Sequence, residues 1–182
     1  MKLTPQVVLT IAGFDPSGGA GIVADVTTIV RFGRRPAAAI TSLTFQNAAG
    51  VFGATHETAK SLRAQILPII EEANIAAVKV GMLPTAELVS EVVSLIREGR
   101  LPPPVLDPVL KSSSGYELME ADALETLKRD LLPLVRLITP NISEAVTLSG
   151  TEISDEQGMR AAASRLRELG ARAVLIDRKS VV

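Results

Sequence analysis

The sequence predicts an α/β fold: a mainly parallel sheet whose strands are joined by single helices. Three observations support it. Short apolar runs alternate with helical patterns from one end of the 182 residues to the other. The first apolar run breaks into a glycine-rich turn that starts a helix. Polar residues also recur just after the apolar runs, where open parallel sheets place their ligands.

The strands are expected at Val7–Ala12, Ala37–Thr44, Ala77–Val80, Val105–Leu106, Leu137–Thr139 and Ala173–Ile176, with a short extra strand at Val51–Thr55. Helices are expected at Gly21–Phe32, Thr58–Ala73, Thr85–Glu98, Ala121–Leu131, Ser143–Ser149 and Asp155–Leu169. In Thr58–Ala73, Leu62, Ile66, Ile69 and Ile70 share one face, and Pro68 is a site for a kink. Gly99 and Gly170 fall where helix C-caps belong. Right-handed crossovers follow from parallel strands joined by helices. Leu101-Pro-Pro-Pro-Val is a rigid lead into a strand, and no repeat or linker divides the chain, so one domain over 1–182 is expected. Ala173–Ile176 reads as a core strand with no helix after it, which makes it either an edge strand or the sign of a longer original.

Composition narrows the function. Hydrophobic residues make up 47% of the chain, enough for a substantial core. The formal net charge is −1 with no long charge run, which argues against nucleic acid or an acidic membrane surface as partner. The absence of Cys excludes disulfides, thiolate–zinc sites and a catalytic thiol within these residues. Met1–Pro5 does not read as a signal peptide and no run approaches the ~20 apolar residues of a membrane helix, so a cytoplasmic protein is expected.

The chemistry is sought at the strand ends. Gly13 to Gly21 (GFDPSGGAG) brings backbone N–H groups and a helix start to one place, which suits a small polar ligand. It is neither a Walker A motif nor a dinucleotide fingerprint. Asp25, one turn into the following helix, can bind an amino or hydroxyl group or complement the helix dipole. Gln46 and Asn47 are amides able to read the edge of a heterocycle. Met82 at a strand end can wall an aromatic ring. Asp107, between a strand and Pro108, suits a hydrated magnesium ion on phosphates. Asn141 and Glu144 can serve phosphate and magnesium, or can close a capping box, and the residues leave both readings open. Lys79 sits inside a strand and needs a partner that the sequence does not identify. His56 and the Arg31, Arg34 and Arg35 group read as surface.

The stretches LTIAGFDPSGGAGIVADV, TSLTFQN, VKVGML, VLDPVL and LITPN, with Glu144 after them, are spread in order over nearly the whole chain. On these residues the chain resembles the hydroxymethylpyrimidine/phosphomethylpyrimidine kinases of thiamine biosynthesis, in the ribokinase-like superfamily. The resemblance implies a three-layer α/β/α kinase domain. It implies ATP-dependent phosphorylation of a pyrimidine alcohol and then of its monophosphate, with ATP and Mg2+ as cofactors. Gly13, Asp25, Gln46, Met82 and Val109 would line the pyrimidine pocket. Asp107, Asn141 and Glu144 would lie near the phosphates, with Asp107 and Glu144 serving the metal. The implied partners are small molecules, neither nucleic acid nor membrane, and a homodimer is compatible with the reading.

Two departures fall at the end. Asp177-Arg178-Lys179-Ser180 stands where the family carries a Lys-Gly-Gly-His-like segment, and the glycine-rich anion hole with its Cys or Asp is absent. No catalytic residue is therefore assigned, and a domain incomplete at its C-terminal end is expected. A pyridoxal-type kinase and a non-catalytic pyrimidine-binding protein are the alternative functions.

Overall fold

The computed structural model describes residues 6–47 and 49–178. Its sheet has six strands: β1 (Gln6–Phe14), β2 (Arg35–Asn47), β3 (Gly50–His56), β4 (Asn74–Val80), β5 (Val105–Leu106) and β6 (Leu137–Ile138). Their spatial order is β3-β2-β1-β4-β5-β6. β1 runs parallel to both β2 and β4, and β5 runs parallel to β4 and β6. Only β3 is antiparallel, closing a hairpin with β2. The sheet is mainly parallel, as the alternating pattern predicts. β1 explains why: Val7, Leu9, Ile11 and Ala12 are all buried, the near-continuous apolar run of a strand covered on both faces.

The helices are α1 (Gly21–Arg31), α2 (Ala59–Glu72), α3 (Ala86–Arg97), α4 (Ala121–Thr126), α5 (Ile142–Ser149) and α6 (Glu156–Glu168). Thr58 and Thr85 cap α2 and α3 by accepting from the backbone N–H of Ser61 and Leu88. α2 runs through Pro68 without ending. The expected Ala121–Leu131 helix is α4 followed by a wider turn over Leu127–Leu131 and a tight turn over Leu132–Leu134. These turns keep Leu127, Leu131 and Leu132 buried ahead of Pro133. Leu9, Ile11 and Val80 from the sheet pack with Leu62, Ile66, Leu88 and Val92 from α2 and α3 in one core.

Two expectations are corrected. Ala173–Ile176 is not a core strand but lies at the sheet edge, one of the two alternatives left open above: Leu175 is 59% exposed, and among the described residues Val174 forms an isolated parallel bridge with Ile138 of β6 while Asp177 bridges Asn141 beyond that strand. Ile138 N–H donates to Ala173 O at 3.0 Å, and Leu175 N–H returns to Ile138 O at 2.9 Å. Pairing on one side explains its partial burial. β2 also runs to Asn47, past the expected Thr44, because β3 pairs with it as far as Gly50. Gln46 and Asn47 are thus held in a hairpin rather than a loop. Lys179 to Val182 lie outside the described residues.

Candidate functional site

The glycine loop after β1 is organised by Asp15, a residue to which the sequence reading assigned no role. Asp15 is 4% exposed. Its Oδ1 accepts from the backbone N–H and the hydroxyl of Ser17, both at 2.7 Å, and its Oδ2 accepts from Ala20 N–H at 2.9 Å. Burial pushes this carboxyl up, but the bonds from Ser17, Ala20 and the Gln46 side chain outweigh it and hold the group below the ordinary aspartate value. The signal was present in the sequence: an aspartate two residues before a serine, in a turn, satisfies the turn's own backbone. Gly21 closes the loop at φ +54, where a Cβ would collide with the carbonyl oxygen of Gly13.

A first cavity of about 270 Å3 opens beside this loop. Gly13, Asp25, Gln46, Met82 and Val109, all five expected pyrimidine-pocket residues, line it. A Cβ at Gly13 would lie 3.0 Å from Met82 Sδ, so the glycine leaves that sulfur room against the wall. Met82 is fixed by its own backbone, whose carbonyl accepts from the Thr41 hydroxyl at 2.7 Å. Asn47 is not brought here. Its Oδ1 accepts from Ala49 N–H at 2.8 Å, and the residue lines an adjoining hollow toward Ser112–Ser114 whose wall also includes Gln46 and Val109.

Asp25 is held from two sides. The Thr10 hydroxyl donates to Asp25 Oδ2 at 2.6 Å, and Lys79 Nζ donates to the same oxygen at 3.0 Å. Lys79 Nζ also lies 3.4 Å from Asp107 Oδ2. The partners that the sequence left unidentified for this lysine are thus two aspartates from the expected site. They were not legible in sequence because residues 25, 79 and 107 meet only when β1, β4 and β5 are side by side.

A second cavity of about 420 Å3 adjoins the first and is lined by Lys79, Asp107, Asn141, Glu144 and Asp177 among others. Asp107, Asn141 and Glu144 come together as expected. Asn141 and Glu144 close a capping box: Asn141 Oδ1 accepts from Glu144 N–H and Glu144 Oε2 accepts from Asn141 N–H, both at 2.9 Å. Burial pushes the Glu144 carboxyl up, and the nearby Asp107 charge adds to this, against backbone N–H bonds from Asn141 and Leu110. Three carboxylates, Asp107, Glu144 and Asp177, line this cavity, one of them engaged as a cap, and among the described residues they do not gather closely enough to enclose a divalent cation. They suit magnesium, which keeps several waters and takes phosphate oxygens as ligands. Among the described residues no group of three acidic or histidine side chains gathers as a metal site, and no helix is long and apolar enough to cross a membrane.

A family model described as phosphomethylpyrimidine kinase matches residues 15–181. The chain is 40% identical over 174 residues to the hydroxymethylpyrimidine/phosphomethylpyrimidine kinase of Streptomyces coelicolor, covering 96% of this chain and 64% of that protein. It thus spans less than two thirds of that relative's length. Among solved structures, a phosphomethylpyrimidine kinase from Clostridium difficile superposes with a TM-score of 0.88 at 37% identity, covering 97% of this chain and 76% of that one. An ADP complex of Bacillus subtilis pyridoxal kinase superposes with a TM-score of 0.83 at 33% identity, covering 95% and 65%. Matched by the family model over residues 15–181, and 40% identical to a curated relative over 174 residues, the chain belongs to the phosphomethylpyrimidine kinase family.

Proposed function

We propose that this chain carries the substrate-binding part of an ATP-dependent kinase. Its substrates are 4-amino-5-hydroxymethyl-2-methylpyrimidine and the monophosphate of that alcohol, in thiamine biosynthesis. One observation supports this above the others: five expected pyrimidine contacts line one cavity, and Lys79 and Asp107 line both it and the cavity holding Asn141 and Glu144. An acceptor alcohol and a phosphoryl donor in adjoining cavities is the arrangement that phosphoryl transfer needs, since that chemistry is mostly positioning and charge stabilisation.

In this reading Met82 and Val109 flank a flat ring and Gly13 lets it approach the backbone. Gln46 reads the ring amino group, and Asp25 accepts from the hydroxymethyl group. The hydroxymethyl oxygen gains the bond to the terminal phosphorus as the bond to the ADP oxygen breaks. No base for the hydroxyl proton is assigned within these residues. Asp107 and Glu144 would hold magnesium, which would supply positive charge beside the phosphates. The ADP complex of the Bacillus pyridoxal kinase supports a nucleotide in the family fold and also keeps pyridoxal as the second reading.

Calorimetry with the pyrimidine alcohol and with pyridoxal tests the substrate, and a coupled assay for ADP tests transfer. Tighter binding of the pyrimidine is expected. Tighter binding of pyridoxal would replace the substrate, and pyrimidine binding with no ADP formed would make this chain a binding protein only.

A further inference from the structure

We propose that Lys79 makes the first cavity selective for the phosphorylated form of its occupant, by giving its ammonium group to the phosphate of a heteroaromatic methyl phosphomonoester. The inference rests on the pyrimidine reading of that cavity and deepens it.

Lys79 lies in β4, in register with Thr10 of β1 and Val105 of β5, so its backbone is enclosed by strands on both sides. A cation in that position must be drawn out toward partners. Gly81 makes the path available: a Cβ there would lie 2.9 Å from Lys79 Nζ. The side chain is 24% exposed and reaches the wall shared by the two cavities.

An ammonium group has three donors. Two are directed at Asp25 and Asp107, and the third has no partner among the described residues. Thr10 and Lys79 both occupy Asp25 Oδ2 and leave Oδ1 to the cavity. A neutral alcohol needs only that acceptor. A phosphate on the same carbon extends toward the second cavity and meets the free N–H of Lys79. Two carboxylates around one ammonium leave the cluster negative, so a phosphate not anchored by a ring gains little there. The expected ligand is therefore a ring-borne phosphate rather than inorganic phosphate.

The test is calorimetry on the whole chain with the pyrimidine alcohol, its phosphomonoester and inorganic phosphate. In the unchanged protein the phosphomonoester should bind more tightly than the alcohol, because only the former gains a bond from the Lys79 ammonium. Lys79→Met should weaken the phosphomonoester about tenfold, the loss of one charge-assisted bond, and the alcohol far less. Lys79→Arg should keep the preference. If both compounds weaken equally in Lys79→Met, Lys79 only spaces two aspartates and the proposal is overturned. If Lys79→Met does not fold, the unchanged protein decides: a phosphomonoester that binds no more tightly than the alcohol overturns it. Alcohol binding without phosphomonoester binding, or inorganic phosphate competing as well as the phosphomonoester, overturns it alone. Failure of the alcohol itself to bind instead removes the pyrimidine reading, and this inference with it.

Discussion

The hydroxyl of Thr10 on β1 donates to Asp25 Oδ2 on α1 across 2.6 Å, tying the first helix to the first strand at the edge of the first cavity. Thr10 is fully buried. Thr10→Val keeps the shape and removes the donor, leaving Lys79 alone on that oxygen. We expect a loss of about 1.5–3 kcal/mol in stability, the value of a bond to a charged group, read as a shift in the urea midpoint. An unmoved midpoint would show that the strand and helix are joined by packing alone.

Gln46 is placed over the first cavity by the β2–β3 hairpin, where it pairs with Val51. Gln46→Leu removes the amide at similar volume. Pyrimidine affinity should fall by about 1–3 kcal/mol, the cost of an unpaired buried polar group. Calorimetry showing unchanged affinity would remove Gln46 as a reader of the ring.

Asp107 lines both cavities, so its charge serves two ligands unequally. Asp107→Asn should weaken magnesium-dependent nucleotide binding more than pyrimidine binding, and nucleotide binding without magnesium least of all. Equal weakening of pyrimidine and nucleotide would exclude a metal role for this carboxylate.

Acid should loosen the glycine loop before the core fails. Asp15 is held below its ordinary value of 3.8 in the folded chain, so the folded state favours the ionised form. Its contribution to stability is therefore complete above the unfolded value and is lost as the pH falls through the folded one. Melting followed from about pH 7 to about pH 2 should show this decline, and Asp15→Asn should be less stable at neutral pH and flatter in acid. A variant with the same acid slope as the unchanged protein would place the titrating carboxylate elsewhere.

Gly21→Ala tests the loop's shape directly. The φ of +54 disfavours any side chain, and the new methyl would strike the carbonyl oxygen of Gly13. A loss of about 1–3 kcal/mol is expected, with pyrimidine affinity falling alongside it. Full stability with full affinity would mean that the loop adopts another path.

Most of this architecture could be read from local pattern. The buried run of β1, the glycine turn, the Thr58 and Thr85 caps and the Asn141–Glu144 box all depend on neighbours within a few residues, and short-range chemistry is written in short-range sequence. Residues after strand ends were also legible, because parallel strands point their carboxyl ends the same way.

What tertiary structure alone decided was which strands are neighbours and which charges they bring together. Ala173–Ile176 reads as core by composition, but it lies at the margin of β6 and stays half exposed. Gln46 and Asn47 are adjacent in sequence and share one hollow, but the hairpin carries only Gln46 into the first cavity as well. Lys79 finds Asp25 and Asp107 only because β4 lies between β1 and β5. Those pairings span tens of residues, and no local rule of sequence encodes a contact whose partners are set by the order of strands in a sheet.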